Sequence, residues 1–185
     1  MTRFAVLLRG VNVGGRNRLP MADLRAALAA DDLDEVQTYL QSGNVVASSS
    51  SVDPEVVAAM VRARIARDFG LDVPAIALTA DDLVDIVRVN PFTDEPDPKK
   101  VHAIVLPHAP TAEVISAVDE CQEAAASLGS RDRVTLVGRV AYLHTPDGFG
   151  RSDLARRLTS GRSAALADGI ARNWATVTAL TAIAA

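Results

Sequence analysis

The chain of 185 residues has one cysteine, few aromatic residues and no long apolar run. Cys121 has no partner for a disulfide within the chain, which is typical of proteins in a reducing compartment. A membrane-spanning helix needs about 20 consecutive apolar residues, and no segment approaches that length. The three histidines have no His or Cys at ligand spacing, so no metal site is expected. These absences predict a cytoplasmic protein that does not enter a membrane.

Basic residues are unevenly distributed along a chain whose net charge is -4. Residues 1–22 contain four arginines and no acidic residue, and residues 148–185 contain five arginines and two aspartates. The middle, 23–147, contains ten basic and twenty-one acidic residues. If the two ends meet in the fold, they would form a positive patch for an anion. Because 17 of the 19 basic residues are arginine, a compositional preference for arginine is the alternative explanation.

The hydrophobic periodicity predicts the same order of elements twice. Between residues 4 and 89 it predicts strand, helix, strand, strand, helix, strand and helix. The order recurs after residue 101, beyond the polar, proline-rich segment 94–100. The first six elements of each half follow the ferredoxin-like order. The sequence therefore predicts an α+β fold of two tandem ferredoxin-like (βαββαβ-type) subdomains, 1–93 and 101–185, joined by a linker at 94–100. Each would be an antiparallel sheet with helices on one face.

Residues 9–18, here called the glycine–arginine loop, follow the first predicted strand and precede a helix that opens near Pro20. The loop contains three glycines, three arginines and two asparagines. Glycine permits positive φ and close approach of the backbone to a ligand. A helix N-terminus favours anions, and arginine forms bidentate contacts with phosphate or carboxylate. The spacing matches neither a Walker A motif nor a dinucleotide fingerprint, and a surface turn is the alternative.

Two further segments carry polar residues at turns. In the first predicted hairpin, Gln41 and Asn44 flank a Ser-Gly turn and would hydrogen-bond a polar ligand, although such residues are also ordinary in turns. Near the end of the chain, Arg172 precedes Asn173, which is suited to cap the last helix. Arg172 would then reach an anion at that helix N-terminus. The sequence contains no recognisable catalytic triad and specifies no reaction, cofactor or oligomeric state.

Four motifs together resemble the bacterial domain-of-unknown-function family 1697. They are Leu8–Gly15 (LRGVNVGG), Tyr39–Val45 (YLQSGNV), Gly148–Ser152 (GFGRS) and Ala171–Thr178 (ARNWATVT). The similarity extends over nearly the whole chain. It implies an α+β fold with two related subdomains, and it implies no activity, cofactor or catalytic residue.

We therefore expect a small anionic ligand, such as a nucleotide or a phosphate ester, at the glycine–arginine loop. The expected ligand-binding residues are Arg9, Asn12, Gly14, Gly15, Arg16, Gln41, Asn44, Arg172 and Asn173. Nucleic-acid binding is an alternative by analogy of fold, but the acidic middle and the scarcity of aromatics oppose it. A non-catalytic interaction protein, in which the glycine loops are only turns, is the third hypothesis.

Overall fold

A computed structural model describes residues 1–15, 17–30, 33–161 and 164–185. The chain forms two compact units. The first unit contains Met1–Asp85 together with Ala179–Ala185, and the second contains Ile86–Thr178. The predicted boundaries at residues 93 and 101 stay predictions.

The described residues contain eight strands and six α-helices. The strands are β1 (Thr2–Leu8), β2 (Leu33–Tyr39), β3 (Asn44–Ser49), β4 (Ala75–Thr79), β5 (Val101–Val105), β6 (Arg133–Val137), β7 (Val140–His144) and β8 (Ile170–Asn173). The helices are α1 (Met21–Leu28), α2 (Pro54–Phe69), α3 (Ala80–Arg88), α4 (Ala112–Ser127), α5 (Asp153–Thr159) and α6 (Trp174–Ala184). A 3₁₀ helix spans Phe149–Arg151.

The strands form two four-stranded antiparallel sheets, which confirms the predicted α+β class. The strand order is β2-β3-β1-β4 in the first sheet and β6-β7-β5-β8 in the second. Every pairing in both sheets is antiparallel. The first strand of each half therefore lies inside its sheet, where strands on both sides form hydrogen bonds with its backbone N–H and carbonyl groups.

In the first unit, the core lies between one face of the sheet and helices α1 and α2. Alternate residues of β1, namely Phe4, Val6 and Leu8, belong to this core because side chains alternate between the two faces of a strand. The intervening Ala5 and Leu7 are also buried, so β1 is apolar on both faces. An unbroken apolar run in the sequence is the signature of such a strand.

The second unit repeats this arrangement with α4 and α5. Ile104 of β5 and Leu143 of β7 pack with Leu154 and Leu158 of α5. Tyr142 points to the opposite face of β7, is fully buried, and donates a hydrogen bond of 2.9 Å from its hydroxyl to the Ile86 carbonyl. Burial raises the pKa of Tyr142 to about 12, so the hydroxyl remains a donor at neutral pH.

Helix ends follow the sequence signals. The Asp53 carboxylate accepts from the Glu55 N–H at 2.9 Å and begins α2, and Gly70 ends that helix at a φ of 64°. At the start of α3, the side chains of Thr79 and Asp82 accept from each other's backbone N–H groups and form a capping box with Asp in place of Glu. Helix α1 begins at Met21, one residue beyond the predicted start, because Pro20 has an extended ψ of 122°.

The segment 94–100, predicted as a linker, is part of the second unit and is hydrogen-bonded within it. The Lys100 carbonyl accepts from the Thr145 N–H at 2.8 Å, and the Pro98 carbonyl accepts from the Trp174 N–H at 3.1 Å. Within the segment, the Asp97 N–H donates to the Glu95 carboxylate at 3.0 Å. These bonds fix the segment against the ends of β7 and β8.

Within the described ranges, no helix has the length and apolar character that crossing a membrane requires.

We expect Gly43→Ala to destabilise the protein by roughly 2 to 4 kcal/mol. Alanine at the observed φ of 81° costs about 1 kcal/mol in strain, and crowding a packed site costs about 1 to 3 kcal/mol more. A Cβ at Gly43 would lie 2.4 Å from Val11 Cγ2 and 2.9 Å from Leu8 Cβ. Gly129→Ala is the matched control, since its φ is 82° and no heavy atom lies within 4 Å of its added Cβ. Urea unfolding measures both, and equal losses would contradict the packing argument.

Stability should also fall between pH 6.5 and pH 4 because of His102. This imidazole packs on Phe149 with ring centroids 4.2 Å apart, and burial lowers its pKa from 6.5 to about 4. In that window the unfolded chain binds a proton and the folded chain does not, so protonation favours unfolding by about 3 kcal/mol at pH 4. His102→Leu should remove this part of the pH dependence in chemical unfolding. The same pH slope in both proteins would show that other groups account for it.

Candidate functional site

The glycine–arginine loop begins at a fixed point at the end of β1. The Leu8 N–H donates to the Gly43 carbonyl at 2.8 Å, and the Arg9 N–H donates to the Pro74 carbonyl at 2.9 Å. These bonds continue the pairing of β1 with the residues that immediately precede β3 and β4. The chain therefore leaves the centre of the sheet at Gly10, which has a φ of 71°.

Asn12 joins this loop to the start of α1 and to the β2–β3 hairpin. Its side-chain Nδ2 donates to the Leu19 carbonyl at 2.8 Å and to the Gln41 carbonyl at 2.9 Å. Its Oδ1 accepts from the Leu19 N–H at 2.9 Å. The amide thus uses both of its N–H donors and its oxygen within the fold. Asn12 has a φ of 54°, a conformation that asparagine tolerates better than most residues.

Apolar packing supports the same junction. Val11 and Leu19 are fully buried in the first core, on either side of the exposed part of the loop. Gly43 has no side chain and lies directly against Val11 and Leu8. The loop and the 41–44 turn therefore lie side by side within the first unit.

Gly14 and Gly15 form the exposed tip of the loop. Both have positive φ, 58° and 75°, and no heavy atom lies within 4 Å of a Cβ built on either. No described residue accepts a hydrogen bond from the backbone N–H of either glycine. Asn17 holds the returning side of the loop, since its Nδ2 donates to the Gly10 carbonyl at 3.1 Å. Arg16, a predicted charge contact, lies outside the described residues.

The hairpin residues differ in exposure. Gln41 is exposed beside the loop. Asn44 is fully buried, and its Nδ2 donates to the Tyr39 carbonyl at 2.8 Å and to the Ser42 hydroxyl at 3.3 Å. Leu40 has a φ of 59° and is 52% exposed. A bulky residue in that conformation is an outlier, and such outliers cluster at functional sites and tight turns.

Arg172 and Asn173 belong to the second unit, where they are parts of β8. Arg172 lies 9% exposed, and its Nη1 donates to the Ala171 carbonyl at 2.8 Å. Burial lowers the pKa of Arg172 to about 10, which still leaves the guanidinium charged at neutral pH. Asn173 caps α6 as predicted, because its Oδ1 accepts from the Thr176 N–H at 2.9 Å and from the Thr176 hydroxyl at 2.8 Å. Their predicted contact with a ligand stays a prediction.

The GFGRS motif begins α5. The Ser152 hydroxyl accepts from the Ala155 N–H at 2.8 Å and donates to the buried Asp132 carboxylate at 2.7 Å. Residues of the motif and of α5 line a cleft of about 330 Å³, among them Arg151, Asp153 and Arg156. The two guanidinium groups of Arg156 and Arg157 both bond Asp153, which lowers the pKa of that carboxyl. This motif therefore has a structural role as a helix start.

Sequence reasoning missed one cluster of polar residues, formed by Glu95, Arg131, Arg133 and His144. Glu95 lies in the segment that was predicted to be a linker, and no residue spacing relates it to His144, 49 positions later. The weak signal was the alternation of β6, which places Arg133 and Thr135 on one exposed face. In the described part of the chain, no group of three His, Cys, Asp or Glu residues is placed to hold a metal ion.

Comparisons with known proteins agree with this fold. One solved structure similar to this chain is described as "The structure of conserved bacterial protein SP0830 from Streptococcus pneumoniae". Its sequence is 20% identical, its TM-score is 0.71, and the match covers 100% of this chain and 99% of that chain. Likeness at this identity concerns the fold alone. No curated protein matches the chain. The family model described as "Protein of unknown function (DUF1697)" matches residues 1–142, which include the first two of the four motifs, and the chain belongs to this family.

Proposed function

We propose that this protein binds a small anionic ligand, a nucleotide or a phosphate ester, at the glycine–arginine loop of the first unit. One observation carries the proposal. The exposed backbone N–H groups of Gly14 and Gly15 have no acceptor among the described residues, and the loop that presents them is held in place. Backbone N–H groups at positive-φ glycines are suited to phosphate oxygens because the ligand approaches without steric hindrance.

The hydrogen bonds of Asn12 support this proposal through preorganisation. A loop that must be ordered upon binding loses affinity to conformational entropy, whereas a loop already fixed does not. Asn12 fixes the glycine tip relative to Leu19 and Gln41. In this proposal Asn12 is a positioning residue, and the exposed Gln41 side chain is the group that hydrogen-bonds the ligand.

The charge of the proposed site comes from arginines near both ends of the loop. Arg9 is partly buried and Arg18 is exposed. Arg16 lies between them in the sequence, and residues 1–22 contain no acidic residue. Guanidinium groups bind phosphate oxygens in a bidentate manner, and they add charge to contacts that backbone amides orient.

We also infer that the two halves are ferredoxin-like subdomains related by duplication. The order of elements, the strand order and the antiparallel pairing are the same in both halves. One backbone hydrogen bond of the first half has an equivalent at the same place in the second half. The N–H of Leu8 donates to the Gly43 carbonyl at the end of β1, and the N–H of Leu106 donates to the Arg139 carbonyl just after β5, both at 2.8 Å. Location in the cytoplasm belongs to the same proposal and rests on the single cysteine.

Arg18→Ala should weaken binding of a phosphate-containing ligand by about ten-fold, the effect expected when about 1.4 kcal/mol is lost. Isothermal titration calorimetry with pyrophosphate, ADP and a sugar phosphate measures this effect. Arg25→Ala is the matched control, because Arg25 is an exposed arginine on α1 and its substitution removes the same charge.

Gly14→Ala tests the contribution of the backbone. Alanine at a φ of 58° is strained, so the tip should change conformation and binding should fall with little effect on the core. Absence of binding by the wild-type protein, or equal binding by the Arg18 and Arg25 variants, would contradict the proposal. Binding of RNA with a steep dependence on salt would instead support the nucleic-acid alternative.

A further inference from the structure

The second unit contains a separate polar cleft between the segment after α3 and the strands β6 and β7. Its volume is about 390 Å³. The residues that line it are Pro91, Phe92, Asp94, Glu95, Arg131, Arg133 and His144. None of them belongs to the glycine–arginine loop, so this cleft goes beyond the function proposed above.

His144 and Glu95 form an oriented pair in this cleft. His144 Nε2 lies 2.8 Å from Glu95 Oε2, and the side chains are 19% and 14% exposed. The other carboxylate oxygen accepts from the Asp97 N–H at 3.0 Å. These two hydrogen bonds, first that of His144 and then that of Asp97, lower the pKa of Glu95, with smaller help from the charge of Lys100. Glu95 is therefore ionised at neutral pH.

The ionised carboxylate determines which imidazole nitrogen is protonated. A carboxylate can only accept, so the hydrogen shared with Glu95 belongs to His144 Nε2. In the neutral imidazole, Nδ1 then carries a lone pair and acts as an acceptor. None of the described residues is hydrogen-bonded to this Nδ1. In this neutral form the pair presents an acceptor of fixed orientation to a ligand.

The wall that carries Glu95 is well ordered by its own hydrogen bonds. The Phe92 N–H donates to Asn90 Oδ1 at 3.0 Å, and the Glu95 N–H donates to the Phe92 carbonyl at 3.4 Å. The Phe92 ring stacks on His144 with centroids 5.4 Å apart. The imidazole is therefore held on one side by an aromatic ring and at Nε2 by a carboxylate.

Two arginines supply positive charge to the cleft. Arg133 of β6 is directly opposite His144 of β7 in the antiparallel register, so the two side chains lie on the same face as neighbours. No described residue pairs with the Arg133 guanidinium, which is exposed. Arg131 bonds Asp147 at 2.8 Å, but both side chains are about two-thirds exposed, and such pairs are weak and readily exchanged.

We propose that this cleft binds a small oxyanion that also carries an O–H group, such as a phosphate monoanion or a hydroxycarboxylate. Arg133, assisted by Arg131, binds the anionic oxygens, and His144 Nδ1 accepts the hydrogen bond of the O–H group. The ring of Phe92 contacts the carbon skeleton. The carboxylates of Asp94 and Glu95 disfavour ligands with a second negative charge, because like charges repel in the same cleft.

Nuclear magnetic resonance of the full-length, ¹⁵N-labelled protein tests this proposal with inorganic phosphate and with lactate as probes. We expect saturable shifts of the His144 imidazole nitrogens and of the Arg133 Nε with at least one probe at millimolar concentration. Arg133→Ala should weaken that binding at least ten-fold. Arg151→Ala is the matched control, since Arg151 is an exposed arginine of the same unit that does not line this cleft.

The variant Glu95→Gln tests whether Glu95 orients the imidazole or only contributes to folding. In the wild-type protein the His144 spectrum should show the tautomer protonated at Nε2, and Glu95→Gln should reduce this preference while the backbone amide spectrum of the sheet stays unchanged. No saturable shift at His144 with either probe, or equal affinity of the Arg133 and Arg151 variants, would overturn the proposal. Shifts confined to Gly14 and Gly15 would indicate the loop site alone.

Discussion

The hydrogen bonds of a single side-chain amide hold the first unit's candidate site together. Asn12 joins the segment after β1, the start of α1 and the β2–β3 hairpin. All three of its bonds go to backbone atoms, so the geometry depends on the paths of the three segments rather than on other side chains. Buried Val11 packs closely against Gly43 at the same junction. Because this junction is fixed, the position of the exposed glycines at the tip of the loop is fixed as well.

The two halves show how one topology accommodates different loops. In both, the central strand ends with a backbone bond to the residue that precedes the third strand of its sheet. Between the end of the central strand and the next helix, the first half has residues 9–20, whereas the second half has only 106–111. The short connection leaves no room for an ordered glycine-rich loop. The second half instead has exposed arginines at the start of β6 and just before it, Arg133 and Arg131.

The arginines differ in burial and in whether their charge is paired with a carboxylate. Arg172 is almost completely buried, where loss of water lowers its pKa, while Arg133 and Arg18 are exposed. Arg156 and Arg157 share the carboxylate of Asp153. An arginine that already pairs with a carboxylate has less to gain from a ligand than one that faces water. The count of basic residues in the sequence is therefore a poor measure of the charge available for binding.

Local signals in the sequence were sufficient for the elements. The apolar runs of β1 and β5, the caps at Asp53, Thr79 and Asn173, and the glycine at the end of α2 each act within a few residues. Short-range sterics and hydrogen bonds control such features, so the α+β class and the order of elements were predictable.

Only the tertiary structure determined which polar side chains are hydrogen-bonded within the fold and which can bind a ligand. Asn12 and Asn44 look like ligand contacts in the sequence, but the fold uses their amides to bond its own backbone. The pairing of Glu95 with His144, and the register that sets Arg133 opposite His144, join residues far apart in the chain. The sequence by itself determined the strands and helices, because these depend on neighbours along the chain. The positions of charges and donors depend on burial and strand register, which exist only once the sheets have formed.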